Sequence, residues 1–146
     1  MEKSDVLIVI PARGGSKGIP RKNLSKIGSV SLLAVSINTA KKSKYGSNIV
    51  VSTDDNDISE EAIRYGATVI PRPKDISGDT ATSEETLLHA LNYQSNLTKY
   101  KVIVMLQCTA PFTTSKDIDK TIEKLETENA ESSFAAIKFN HFLWTK

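Results

Sequence analysis

The stretch VLIVIPARGGSKGIPRKNL, residues 6–24, joins an apolar run to a loop rich in glycine and positive charge. The run from Val6 to Ile10 ends at Pro11, as is typical of a central parallel strand that is covered on both faces. Glycines let main-chain N–H groups approach an anion, while Arg and Lys donate charge-assisted hydrogen bonds. The stretch therefore predicts a phosphate-binding loop, with a solvated basic loop as the alternative. The loop contains no acid, and its cations and glycines are Arg13, Lys17, Arg21, Lys22, Gly14, Gly15 and Gly18.

The charge of the chain is divided along its length. The 146 residues carry a net charge of only +2, but residues 1–53 hold nine Lys or Arg against two acids, a formal +7, which leaves −5 for residues 54–146. A local positive field suits a compact anion such as a nucleoside triphosphate better than a long polyanion. We therefore expect neither a nucleic-acid partner nor a membrane partner.

The cysteine content and the amino-terminal segment indicate a compartment. A single cysteine, Cys108, excludes an internal disulfide and a thiol cluster for structural zinc. The first apolar run is too short for a signal-peptide core or a membrane span. These features predict a soluble protein of the reducing cytoplasm.

Strand and helix patterns alternate along the rest of the chain. This alternation predicts an α/β fold with a doubly wound, mostly parallel sheet and helices on both faces, in a single domain over residues 1–146. The strands are expected at residues 6–10, 48–52, 68–70, 102–106 and 133–139, and the strand at 102–106 is expected to be buried. The helices are expected at residues 32–44 with Gly46 as a stop, from 54 to Gly66, from Ser83 with a Thr82 and Glu85 capping box, and through Ile118, Ile122 and Leu125.

Ligands of such a sheet bind outside the carboxyl ends of its strands. The loops there are residues 11–24, 53–57, 71–82 and 107–115. Two familiar phosphate loops do not fit the first of them. A P-loop needs Lys and then Ser or Thr after its last glycine, whereas Ile19 and Pro20 follow Gly18. A dinucleotide loop needs an acid about twenty residues after its glycines, and the first later acid is Asp54.

The segment PARGGSKGIPRKNL resembles the signature of the CMP-sialic acid synthetase family, the acylneuraminate cytidylyltransferases. Further segments resemble the family in the same order: IVVSTDD at 49–55, RP at 72–73, DTAT at 79–82 and LQCTAP at 106–111. The similarity covers almost the whole chain. It implies a Rossmann-like nucleotidyltransferase fold and the transfer of CMP from CTP to a 2-keto-3-deoxy sugar acid, with release of pyrophosphate. The product would serve the decoration of a bacterial cell surface.

The resemblance also implies roles for individual residues. Arg13 and Lys22 would be catalytic, because they would hold the triphosphate and stabilise the charge that develops on it. Asn23 would read the cytosine edge with main-chain groups around Ala81. The residues implied at the nucleotide are Gly14, Gly15, Ser16, Lys17, Asn23, Arg72, Ala81 and Ser83. The residues implied at the sugar acid are Gln107 and Thr109.

Some polar residues keep two interpretations. Arg72, between two prolines, could contact a phosphate or carboxylate or form a surface salt bridge. Asp54 and Asp55 fit helix capping better than magnesium binding. Asp79 fits an organiser of its loop better than a functional group. Cys108 stands where the family usually has proline, and nothing near it indicates a nucleophile.

The carboxyl-terminal residues and the cofactor depend on the resemblance alone. Residues 135–146 would begin an arm that embraces a second subunit in a homodimer. Magnesium is the implied cofactor, and its acidic ligands are expected beyond residue 146. The alternatives are a sugar cytidylyltransferase of the 3-deoxy-manno-octulosonate type and a shortened nucleotide-binding module without turnover.

Overall fold

Four parallel strands form the central sheet in a computed structural model of the chain, which describes residues 1–16, 18–93 and 99–136. The strands of the described residues are β1 (Val6–Pro11), β2 (Lys26–Ile27), β3 (Val30–Ser31), β4 (Ile49–Thr53), β5 (Thr68–Pro71) and β6 (Val102–Met105). The order in the main sheet is β5, β4, β1, β6, and β2 with β3 forms a separate antiparallel pair. In the register, Ile8 lies opposite Ile49 on one side and Val104 on the other.

Four α-helices connect these strands in the described part of the chain. They are α1 (Leu32–Lys42), α2 (Asn56–Arg64), α3 (Ser83–Tyr93) and α4 (Ser115–Thr127). Side chains cap α1, α2 and α4 at Ser31, Asp55 and Thr114. The capping box expected at α3 is present, because Thr82 N donates to Glu85 Oε2 at 2.7 Å and Glu85 N donates to Thr82 Oγ1 at 3.1 Å.

Helices cover both faces of the sheet, which confirms the predicted fold class. On one face, α1, α2 and α4 pack over alternate residues of β1, including Ile8 and Ile10. On the other face, α3 packs through Ala90 over Leu7 and Val9. Because β1 lies between two strands and two helical layers, Val6 to Ile10 are all fully buried, and truncation of one such side chain to alanine costs about 2–5 kcal/mol.

Helix α1 ends at Lys42, earlier than Gly46 would place it. A Cβ at Gly46 would lie 2.0 Å from the carbonyl oxygen of Ala40, so this glycine is needed for a close approach to the last turn of the helix. The pair of β2 and β3 was not expected from the sequence.

Two strand predictions are wrong in part. Strand β6 is not buried on both faces: Ile103 and Met105 are 38% and 37% exposed, since β6 is the outermost strand of the sheet that the described residues form and α3 packs over β1 and β4 instead. The strand expected at residues 133–139 is absent from residues 133–136, where Ser133 Oγ donates to the Thr121 carbonyl of α4. Residues 137–139 lie outside the described part, as does most of the expected arm.

None of the helices in the described ranges combines the length and the apolar character that crossing a membrane requires.

Candidate functional site

A cavity of about 410 Å³ lies at the carboxyl ends of the strands, where the sequence places the ligand. The loops after β1, β5 and β6 and the first turn of α3 enclose it. Its lining residues are Pro11, Arg13, Ser16, Gly18, Lys22, Asn23, Arg72, Gly78, Asp79, Ala81, Thr82, Ser83, Thr86, Gln107, Cys108 and Thr109.

A second cavity, of about 470 Å³, lies at the opposite edge of the sheet. Its lining includes Lys41, Asn48 and Lys99. It is slightly larger, but it lies at the amino ends of β4 and β5 and includes none of the residues expected to bind ligand. Ligands of parallel α/β sheets bind at the carboxyl ends, so we place the functional site in the first cavity.

The glycine loop, residues 12–24, is held by the segment that follows β4. Gly14 N donates to Asp54 Oδ1 at 2.9 Å. A Cβ at Gly14 would lie 2.6 Å from Asp55 Oδ2, so only glycine fits this approach. Gly15 has open space around its Cβ position. Neither Gly14 nor Gly15 lines the cavity. A glycine is needed at position 14 because the loop packs closely against Asp55, not because of a contact with ligand.

Asn23 closes the loop on itself. Asn23 is only 7% exposed, and its Nδ2 donates to the Arg13 carbonyl oxygen at 3.0 Å. Asn23 also lines the cavity. One N–H of the Asn23 amide thus fixes the backbone of Arg13. An amide has two N–H donors and an acceptor oxygen in all, so it has more hydrogen-bonding capacity than this one bond uses.

Arg13 joins the glycine loop to the loop after β5. Nη1 donates to the Gly78 carbonyl oxygen at 2.8 Å and lies 3.0 Å from Asp79 Oδ1. Asp79 therefore contacts another loop and does more than organise its own.

The cations of the glycine loop point in different directions. Arg13 and Lys22 both line the cavity. Arg21 contacts carboxylates of α2 and its N-cap instead, with Nη2 at 3.1 Å from Asp55 Oδ1 and 2.7 Å from Asp57 Oδ2. Lys17 lies outside the described residues. The charge of this loop is therefore shared between the cavity and α2.

Arg72 adds a third positive charge to the cavity wall. The residue is 7% exposed, and its guanidinium donates from Nη2 to the Ser52 carbonyl oxygen at 2.6 Å and from Nε to Ser52 Oγ at 3.1 Å. The pKa of the Arg72 guanidinium is lowered from its ordinary value, mainly by burial. The negative charge of Asp54 partly offsets this effect, and the positive charge of Arg13 adds to it. Arginine remains charged under such conditions. Because Arg72 is buried and its guanidinium donates to Ser52, the alternative of a surface salt bridge is wrong.

The amino end of α3 faces the same cavity. Ala81, Thr82, Ser83 and Thr86 line it, and the capping box fixes the start of the helix. The first N–H groups of a helix carry partial positive charge, which favours an anion nearby. This end of the cavity can therefore donate main-chain hydrogen bonds.

The wall after β6 is neutral. Gln107, Cys108 and Thr109 line the cavity, and Thr109 Oγ1 donates to Gln107 Oε1 at 3.3 Å. Burial raises the pKa of the Cys108 thiol to about 11, partly offset by a hydrogen bond with Ser36. A thiol in this state is a poor nucleophile, as the sequence indicates.

Of the described residues, the structure brings most of the expected ones to one cavity. They are Arg13, Ser16, Lys22, Asn23, Arg72, Ala81, Ser83, Gln107 and Thr109. Sequence reasoning missed Thr86 and Gly78 as lining residues. Thr86 lies one helical turn after Thr82, so the capping box is the signal that could have found it.

The acidic residues of the described chain do not form a metal centre. No group of three or more His, Cys, Asp or Glu side chains converges among the described residues. Asp55 caps α2 by accepting from Ile58 N at 3.0 Å, as expected. The capping expected of Asp54 is wrong, because its carboxylate accepts from Gly14 N in the glycine loop instead. Both carboxylates therefore have partners within the protein.

Comparison with known proteins identifies the family to which this fold and cavity belong. Residues 7–142 match the cytidylyltransferase family, and the chain belongs to that family. It is 37% identical over 137 residues to a pseudaminic acid cytidylyltransferase of Campylobacter jejuni subsp. jejuni serotype O:23/36, a match that covers 92% of this chain and 59% of the relative. It is 32% identical over 143 residues to an N-acylneuraminate cytidylyltransferase of Oncorhynchus mykiss, covering 98% of this chain and 32% of that one.

Solved structures agree on the fold. A CMP:2-keto-3-deoxy-manno-octonic acid synthetase solved in complex with CTP matches 87% of this chain and 49% of its own, with a TM-score of 0.73 and 21% identity. A 4-diphosphocytidyl-2C-methyl-D-erythritol synthase matches 86% of this chain and 56% of its own, with a TM-score of 0.65 and 16% identity. The chain spans about half the length of these proteins and 59% of the Campylobacter relative.

Proposed function

We propose that the chain binds CTP in this cavity and transfers CMP to the anomeric hydroxyl of a nonulosonic acid, with release of pyrophosphate. One observation carries the proposal: Arg13, Lys22 and Arg72 line one cavity at the carboxyl ends of the strands. Three cations against one acid, Asp79, give the lining of this cavity a net positive charge, which suits a triphosphate. Charged hydrogen bonds contribute about 1.5–3 kcal/mol each, so the cations outweigh the neutral donors of the loop.

The chemistry requires little beyond positioning and charge. The sugar hydroxyl oxygen attacks the α-phosphorus, the bond from that phosphorus to the bridging oxygen breaks, and the hydroxyl proton is released. Negative charge accumulates on the departing pyrophosphate. Arg13 and Lys22 would stabilise this charge, and Arg72 would hold the nucleotide from the buried wall.

The cytosine base of CTP would be recognised on the side of the cavity formed by Asn23 and the start of α3. Asn23 is fixed by its bond to the Arg13 carbonyl, so its amide is presented in one orientation. An amide can both donate to and accept from a cytosine edge. Main-chain groups at Ala81 and the hydroxyls of Ser83 and Ser16 would complete the nucleotide contacts.

The acceptor would lie against the neutral wall formed by Gln107 and Thr109. The names of the relatives support a nonulosonic acid, since one acts on pseudaminic acid and another on an N-acylneuraminate. The 2-keto-3-deoxy-manno-octonic acid synthetase, at 21% identity, supports only the fold. We therefore propose pseudaminic, sialic or a related acid as the substrate class.

Magnesium enters this proposal only as part of the substrate, the magnesium complex of CTP. The cytoplasm is the proposed compartment, supported by one buried unpaired cysteine. A homodimer is proposed from the family resemblance alone.

Pyrophosphate release tests the proposal. The chain is mixed with CTP and magnesium and, in separate reactions, with pseudaminic acid, N-acetylneuraminic acid or 3-deoxy-manno-octulosonate. We expect release with a nonulosonic acid and little without any acceptor. Release only with 3-deoxy-manno-octulosonate would favour the other enzyme class. CTP binding without release in any mixture would contradict the transferase and leave a nucleotide-binding module.

A further inference from the structure

The segment after β4, residues 54–57, holds the glycine loop at two separate points. At the first point, Gly14 N donates to Asp54 Oδ1 at 2.9 Å. At the second, the Arg21 guanidinium contacts Asp55 and Asp57, at 3.1 Å and 2.7 Å. Ser16 and Gly18, which line the cavity, lie between these two points in the sequence.

Arg21 adopts a backbone conformation that must be stabilised by its surroundings. Its φ of 52° and ψ of 36° are left-handed, which is costly for a residue with a Cβ. This conformation turns the chain into the short 3-10 helix Lys22–Leu24. The direction of Lys22 therefore depends on the turn made at Arg21.

The carboxylates that receive Arg21 are fixed in the fold. Asp55 Oδ1 also accepts from Ile58 N at 3.0 Å and caps α2, while Asp57 lies in the first turn of that helix. Helix α2 packs on the sheet through Ile58 and Ala62, which are buried. Arg21 thus ties the loop to a rigid element.

We propose that Arg21, Asp55 and Asp57 form a clamp in which Arg21 is a positioning residue: it sets the loop so that Lys22 faces the cavity. The inference rests on the proposed function, because it assumes that the cavity binds CTP. Arg21 does not line the cavity, and its guanidinium is directed to α2. Its contribution to CTP binding is therefore transmitted through the backbone of the loop.

The Asp57→Asn variant separates a clamp from a simple electric field. Removal of an acid near a triphosphate site would strengthen CTP binding if only long-range charge mattered. If the clamp positions the loop, its loss in the same variant would instead weaken CTP binding. We expect the dissociation constant for CTP to rise about threefold in Asp57→Asn and about fivefold in Arg21→Ala, as for exposed ion pairs. Glu60→Gln, which removes an exposed acid from the same helix, should not weaken CTP binding.

A double variant tests whether the two residues act together. Arg21→Ala with Asp57→Asn should bind CTP no more weakly than Arg21→Ala alone, because the second change removes a contact that is already lost. Arg64→Ala is the control for loss of an exposed arginine, since Arg64 pairs with Glu61 on the same helix. The free energies of unfolding of all variants without CTP show whether any effect comes from the fold itself.

The outcomes distinguish the clamp from the proposed function. Tighter CTP binding by Asp57→Asn, or additive losses in the double variant, would overturn the clamp while CTP binding by the wild type stands. A wild-type chain that does not bind CTP would overturn the proposed function itself. Weakened binding by Asp57→Asn, with stability like that of Glu60→Gln, supports the clamp.

Discussion

Arg13 and Asp79 form an ion pair in the lining of the cavity, with Nη1 at 3.0 Å from Oδ1. The side chains are 32% and 47% exposed, so the pair is partly screened by water. Both residues line the cavity. A triphosphate that uses Arg13 must therefore compete with the carboxylate or share the guanidinium with it.

The Asp79→Asn substitution should strengthen CTP binding. It removes a negative charge from the cavity and weakens the competition for Arg13, so the dissociation constant should fall about two- to fivefold. Isothermal titration with CTP measures the effect. Asp75→Asn, an exposed change in the same loop, is the control. Weaker binding by Asp79→Asn alone would show that the carboxylate orients Arg13 for the phosphates.

The Lys22→Ala substitution should weaken CTP binding strongly. A charged hydrogen bond of about 1.5–3 kcal/mol corresponds to a rise of roughly ten- to a hundredfold in the dissociation constant. Lys42→Ala, at the exposed end of α1, should have little effect and is the matched control. Equal effects of the two substitutions would mean that the glycine loop is not the nucleotide site.

The Gly14→Ala substitution should destabilise the protein. Its Cβ would meet Asp55 Oδ2 at 2.6 Å and Asp55 Cβ at 2.9 Å, so the loop has to move away from α2. Such overpacking costs about 1–3 kcal/mol. Gly15→Ala has open space and should cost less. Urea unfolding of both variants measures the difference, and similar values would argue against the close approach at Gly14.

The capping box of α4 should make stability depend on acidity. Hydrogen bonds from the Thr114 side chain and backbone hold the pKa of the Asp117 carboxyl below its ordinary value of 3.8. A carboxyl with a lowered pKa in the folded state stabilises the fold above its unfolded pKa, and this contribution is lost as the pH falls through the folded value.

We therefore expect Asp117→Asn to be less stable than the wild type at pH 7, with the difference shrinking as the pH falls below about 4. Denaturant unfolding at several pH values measures this. The control is Asp75→Asn, a change of an exposed acid away from α4. A difference that does not change with pH would show that the Asp117 carboxylate has no part in it.

The sequence predicts those parts of the fold that depend on local patterns. Strand β1 is an unbroken apolar run because both of its faces are covered, and the start of α3 follows from Thr82 and Glu85 three residues apart. The outermost position of β6 among the described strands cannot be predicted from its own residues, since VIVML would suit a central strand equally well. Its exposure depends on which elements pack beside it.

In the candidate site, too, some features can be predicted from the sequence and others depend on contacts made only in the folded protein. Composition indicates a cationic glycine loop, and the family resemblance indicates which residues to expect in the cavity. It does not indicate that Arg21 turns to α2, because that depends on one left-handed residue and on carboxylates from another part of the chain. The contact of Arg13 with Asp79 likewise depends on two loops that meet only in the folded sheet.

The most direct test of a cytidine triphosphate site is the free energy of unfolding with each nucleotide present. A ligand at about 100 times its dissociation constant stabilises the folded state by roughly 2.7 kcal/mol. We expect CTP to produce such a shift, and ATP and GTP at the same concentration to produce little. Equal shifts with all three nucleotides, or none with CTP, would contradict this account.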